Sequence, residues 1–192
     1  MKPIELQEIS SLQDYEKQRT DFRATVIEYK KKRRIFLGPE MSILFEDRLT
    51  VRHQIQEVLR AEKLSLEKTV LEEIAIYNEL LAPHGALTAT LMIELSDPNE
   101  REVRKKDYLG LESHIHLEGG GHRWTGVFDP RGLHGDRIAV VQYVTWTLGA
   151  DGAKALVEFA DSAAITCTHP RYGYSTKLGP ELATALAADV SS

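Results

Sequence analysis

A single cysteine, Cys167, in 192 residues excludes an intramolecular disulfide framework and makes a reducing cytoplasm the expected compartment. No apolar run reaches membrane-spanning length, and the opening residues MKPIELQEIS lack the apolar core of a signal peptide. A glycine-rich phosphate loop, a nucleophile elbow and a paired-cysteine metal signature are missing too. Basic residues do not dominate. With 24 Lys and Arg against 29 Asp and Glu, the formal charge is −5, which speaks against nucleic acid or an anionic membrane as a general partner. What is present is the composition of a globular domain, 42% hydrophobic and 28% charged, with enough chain to bury a sizeable core.

The periodicity divides that single domain, 1–192, into two parts. Residues 1–82 read as mainly helical with a small hairpin, and 83–192 as β-rich with a C-terminal helix. Ser11 is placed to cap a helix over 12–32, on which Leu12, Tyr15, Arg19, Phe22, Val26 and Tyr29 form one stripe. Gly38 and Pro39 punctuate a hairpin between the apolar segments 35–37 and 41–45. Thr50 is the expected N-cap of a helix reaching about Lys63, and a further helix covers 66–82. From Thr88 the period changes to two. Strands are expected from Thr88 and at 112–118, 122–129, 139–148 and 163–168, with short helices at 100–109 and 153–160 and a last one opened by Pro180. Helices grouped before strands, without βαβ alternation, point to an α+β fold in which the helical half packs on a mostly antiparallel sheet of about five strands.

Charged groups concentrate between Arg33 and Glu62. The run from Lys30 to Arg34 suits a helix C-terminus and reads as a solvated face, against the alternative of a docking patch for an acidic partner or a phosphate-bearing ligand. Arg19 interrupts an apolar stripe, so its stem packs while its head needs a carboxylate or an anion. Glu46 and Arg48 sit between hairpin and helix, and Gln54, Glu57 and Arg60 share one helix edge within mutual hydrogen-bonding reach.

A second constellation lies in E-S-H-I-H-L-E-G-G-G-H-R-W. His114 and His116 are two apart on a strand and share a face. If the three glycines form the loop, His122 pairs opposite Glu118, and all four side chains cluster, with Trp124 and Phe128 on the same face. Three imidazoles and a carboxylate suit a transition metal able to activate water, against the alternative of an ordinary polar strand face. Gln142 falls in register with Val140, Val144 and Trp146, where an amide must find partners. His169 follows a strand and precedes Pro170, at a strand end. Cys167 is an ordinary small core residue.

The ordered motifs D-Y-E-x-x-R-x-x-F-R, K-K-x-R-R-I-x-L-G, L-F-E-D-R-x-T-V-R-x-Q-I-Q-E-V-L-R-A-E, E-E-I-x-x-Y-N, L-T-A-T-L-M-I-E and H-P-x-Y span nearly the whole chain. Together they resemble an uncharacterised bacterial family, domain of unknown function 3501. The resemblance implies no established activity. It implies a role beside peroxide or electron-transfer chemistry, with a rubrerythrin-like or iron–sulfur redox protein as partner. It marks Arg19, Arg34, Glu46, Arg48, Gln54, Gln56, Glu57, Arg60, Glu62, Asn78 and His169, and it places a histidine in relatives where this chain has Gln142. The histidine hairpin lies outside the shared pattern. The expectation is therefore a non-catalytic binding or accessory protein that uses the Arg/Glu/Gln cluster and His169 to recognise an anionic ligand or acidic partner. No cofactor is expected, and homo-oligomerisation stays open. A metal-dependent enzyme using His114, His116, His122 and Glu118 is the alternative.

Overall fold

The computed structural model describes residues 1–192, and the fold is α+β. Six helices and eleven strands follow the order α1 (Leu12–Arg33), β1 (Arg34–Leu37), β2 (Met41–Phe45), α2 (Arg48–Glu62), α3 (Glu67–Asn78), β3 (Ala86–Ile93), α4 (Pro98–Asp107), β4 (Ile115–Gly119), β5 (His122–Thr125), β6 (Val127–Phe128), β7 (Leu133–His134), β8 (Arg137–Ile138), β9 (Val141–Thr147), α5 (Gly149–Glu158), β10 (Ala164–His169), β11 (Tyr172–Lys177) and α6 (Pro180–Val190). No helix is long and apolar enough to cross a membrane.

The strands form two principal antiparallel sheets, β1-β2-β3-β9-β6 and β11-β10-β4-β5, plus the small β7-β8 ribbon. Alternation decides what each sheet buries. Ile43, Phe45, Leu87, Leu91, Val144 and Trp146 on the first sheet face Ile115, Leu117, Ile165 and Cys167 on the second. Leu156 of α5 and Leu182 and Leu186 of α6 close the same core. The opposite face of the first sheet carries Ser42, Thr88, Thr90 and Tyr143 and looks toward the N-terminal helices. Those helices have their own smaller core of Ile4, Val51, Ile55, Leu59, Val70, Ile74, Leu80 and Leu81, against which Tyr143 packs.

Local chemistry explains most boundaries. Ser11 caps α1 by accepting from the Asp14 amide. Gly38, at φ +67°, makes the β1–β2 turn, and its missing side chain leaves room for Tyr172 and Tyr174. α2 starts earlier than expected, because Asp47, not Thr50, is its N-cap. The Asp47 carboxylate accepts from the Thr50 amide, while the Thr50 hydroxyl accepts from the Asp47 amide. α3 ends at Asn78, short of the expected 82, where the Asn78 amide exchanges two hydrogen bonds with the backbone of Ile4.

Three expectations for the β-rich half need correction. The expected strand 122–129 breaks at Gly126, so β5 joins the second sheet and β6 the first. A Cβ at Gly126 would come within 2.5 Å of Val144, so only glycine lets the chain cross between the sheets there. Strand β11 was not anticipated; its Tyr-Gly-Tyr-Ser-Thr composition carries little apolar alternation, yet it pairs with β10 from Tyr172 to Lys177. The sheet of about five strands is correspondingly one of two.

Candidate functional site

The helical layer and the first sheet do not close on each other completely. Between α2 and α3 on one side and β6, β9 and the 129–132 turn on the other lies a groove. It consists of two cavities of about 510 Å³ each. They share Leu80, Asp129, Arg131 and Tyr143. One, called inner here for the buried Glu46 in its lining, also meets Thr88 and Thr145; the other, called outer, is lined by Val58, Glu62, Glu73, Ile76, Tyr77 and Val141.

Glu46 is the most constrained of these groups, with 2% of its surface exposed. Its Oε1 accepts from Thr90 Oγ1 at 2.6 Å, and its Oε2 accepts from Gln54 Nε2 at 3.0 Å and from the Thr50 hydroxyl. All three donors are neutral. The carboxylate thus ties α2 to β3 without a cationic partner, and hydrogen bonds stand in for the hydration it has lost. Tyr143, the cross-strand neighbour of Thr90, is half-buried in the groove floor. Burial first, then the Glu46 charge, raises its phenol above the ordinary range, so it is neutral near pH 7. Arg131 caps the groove. Its Nε reaches both oxygens of Asp129 at 2.9 and 3.0 Å, and its Nη2 reaches Glu79 at 2.8 Å.

Of the residues expected to form an Arg/Glu/Gln site or marked by the resemblance, Glu46 and Glu62 border this groove, with Gln54 holding Glu46 from α2. The arginines are engaged elsewhere. Arg19 grips Glu57 with Nε and Nη2, both at 2.8 Å, while Tyr15 donates to Glu57 at 2.7 Å. These contacts, the Arg19 hydrogen bond foremost, hold the Glu57 carboxyl down to about 2. Arg48 pairs with Glu8 at 2.6 Å, Arg60 with Glu16 at 2.8 Å and Arg34 with Glu94 at 3.5 Å. Gln54, Glu57 and Arg60, expected to bond one another along their shared helix edge, take three separate partners in other elements. The segment is a set of clasps between elements rather than one cavity.

Arg33, read from sequence as part of a solvated run, is buried. It donates from Nε to the Phe45 carbonyl at 3.0 Å, lies 3.5 Å from Asp47 and binds Asp189 of α6. The sequence had no signal for this, because its partners arrive from both ends of the chain. Asp129, Arg131 and Tyr143 were also not anticipated. The alternation that placed Gln142 on the core face put its neighbour Tyr143 on the other face, and that was the available clue.

The histidine hairpin does not assemble as expected. Its turn is Gly120-Gly121, so Gly119 pairs with His122 and Glu118 with Arg123. This one-residue shift turns His122 away to stack on Trp124, and it places Trp124 partly against the core instead of beside the histidines. His116 instead bonds Thr125 and Thr168, both at 3.1 Å, and His114 bonds the same Thr168 hydroxyl at 3.0 Å. Glu118 accepts from Arg123 at 2.7 Å. His114, His116, His122 and Glu118 form no ligand set, and no group of three His, Cys, Asp or Glu residues is arranged to hold a metal ion. His169 links two backbone segments: Nε2 donates to the Leu109 carbonyl at 3.1 Å and Nδ1 accepts from the Arg171 amide at 3.3 Å. Gln142, wholly buried, donates to the Gly132 and Ala139 carbonyls at 2.9 Å, leaving its Oε1 without a partner.

No functionally curated protein matches the chain. A crystal structure of a protein of unknown function from Burkholderia pseudomallei K96243 has the same fold, with a TM-score of 0.89 and 28% identity. That match covers 98% of this chain and 100% of the other. The family model described as protein of unknown function (DUF3501) matches residues 3–190. The chain therefore belongs to the DUF3501 family.

Proposed function

We propose that this protein is a small-molecule binding protein whose ligand lies in the groove between α2–α3 and the β6–β9 edge. The observation that carries the reading is the pair of adjoining cavities floored by Tyr143 and bordered by the buried, hydrogen-bonded Glu46. Apolar walls with a few convergent polar groups are the usual make-up of an organic ligand site. The lining holds no histidine, cysteine, serine or lysine. That favours recognition over nucleophilic or imidazole-based catalysis. The anion-binding alternative is less favoured, since the arginines that would serve it each meet a carboxylate. The rubrerythrin-like or iron–sulfur partner implied by the resemblance belongs to the same proposal, as the protein such an accessory would serve.

The test is an NMR screen of neutral, cationic and anionic fragments against the isotope-labelled full chain. Binding should move the amide resonances of Thr88, Leu80, Arg131 and Tyr143 together. Val141→Trp, at a partly exposed wall position, should fill the outer cavity and remove those shifts while leaving the rest of the spectrum unchanged. A screen in which no fragment moves the groove resonances, or in which the shifts survive in V141W, overturns the reading.

A further inference from the structure

We infer that the ligand of this groove is an organic cation, an amine with an apolar body. This rests on the groove being the binding site. Its charged lining consists of Glu46, Glu62, Glu73, Glu79, Asp129 and Arg131, with no lysine. Arg131 is the one cation, and it is already spent on Asp129 and Glu79. Glu46 in the inner cavity and Glu62 and Glu73 in the outer one have no ion-pair partner, so unpaired carboxylates line both cavities.

Glu46 points to a ligand independently of that acidic rim. An exposed carboxylate is satisfied by water and needs no explanation, but this one is 98% withdrawn from solvent, from the 2% that remains exposed. A carboxylate offers about four acceptor positions. Three are filled, two on Oε2 by Thr50 and Gln54 and one on Oε1 by Thr90, which leaves Oε1 able to accept another donor. Every donor it has is neutral, and the nearby Lys30 ammonium acts on it through space without forming an ion pair, so no cation touches the carboxylate. A buried charge of this kind gains most from a cation brought into the same low-dielectric space. An ammonium supplies both the charge and the missing N–H.

The remaining lining suits the rest of such a molecule. Tyr143 and Tyr77 present aromatic rings, whose faces attract ammonium groups, and Val58, Ile76, Leu80 and Val141 suit an alkyl body. Burial and the Glu46 carboxylate keep the Tyr143 phenol protonated, so its hydroxyl can serve as a neutral partner beside the charged one. An anionic ligand of the same shape would meet five carboxylates with a single, already paired arginine.

Hexylamine, hexanol and hexanoate share one carbon chain and differ in head-group charge, so they isolate the question. Titrated into the full-length protein and followed by NMR at the groove resonances, hexylamine should bind about tenfold more tightly than hexanol or better, with hexanoate weakest. Glu46→Gln keeps the shape and should bring the hexylamine and hexanol affinities together. Because the substitution touches a buried network, Glu73→Gln, half-buried in the outer cavity, serves as a second variant that folding does not limit, and it should lower hexylamine affinity severalfold. Hexanol or hexanoate binding the groove as tightly as hexylamine overturns the cation assignment and leaves the groove reading standing. Failure of all three probes to move the groove resonances overturns both.

Discussion

Arg33→Met is expected to lower stability by about 3–5 kcal/mol, the cost of breaking a buried ion pair by removing one side of it. The wild-type arginine is 4% exposed and joins four elements. It is carried by α1, donates to the Phe45 carbonyl at the end of β2, approaches the α2 cap Asp47 and pairs with Asp189 in α6. The methionine stem fills much of the arginine volume, so the loss is of charge and hydrogen bonding rather than packing. It strands two carboxylates whose side chains are only 12% and 18% exposed. In a domain of this size each kcal/mol moves the midpoint by about 2–4 °C, so thermal unfolding should shift down by roughly 6–20 °C. Burial already raises the Asp189 carboxyl above its ordinary range against the pull of Arg33. Without the arginine the protonated form gains further. A raised folded-state value for an acid means a penalty that is relieved on acidification, so the deficit of R33M should narrow as the pH falls from 7 toward 4. Adding Asp189→Leu should recover part of the loss, because the two sites share one interaction. A shift of R33M under about 2 °C at pH 7, or a deficit that widens on acidification, would refute the assignment of Arg33 as a compensated buried charge.

Two further outcomes follow from groups that the fold leaves in unusual surroundings. Both ring nitrogens of His53, between α1 and α2, are buried without partners, and burial holds the ring down to about 4 from 6.5. The folded state then binds fewer protons than the unfolded one between those values, so stability should fall as the pH drops from about 6.5 to 4. His53→Leu should remove much of that slope and gain about 1–3 kcal/mol at pH 7 by urea titration; a variant less stable than the parent at pH 7 would show that the nitrogens are satisfied. At Gly132, an added Cβ would collide with Gln142 Oε1. Gly132→Ala should therefore cost about 1–3 kcal/mol by disturbing the buried amide, with Gly135→Ala, which meets nothing within 4 Å, as the neutral control. Equal urea midpoints for the two alanine variants would be the contrary result.

The sequence by itself determined the local architecture: α1 with its Ser11 cap, the hairpin turned at Gly38, the inward face of β9 and the order of helices before strands. These depend on periodicity and on caps within a few residues, which a linear reading can see. The family motifs likewise lay in the open. Only the tertiary structure decided which charges meet. Arg33 finds Asp189 across 156 positions, Glu46 finds Thr90 across 44 and Arg19 finds Glu57 across 38. No spacing rule encodes such pairings, since charged side chains choose partners by the desolvated space that folding leaves them. The strand 122–129 was divided between two sheets by the room at Gly126, and one residue of hairpin register removed His122 from the histidine face. The groove is of the same kind. Its walls come from segments as far apart as α2 and β9, and it exists because two separately packed cores meet along a seam that neither side fills.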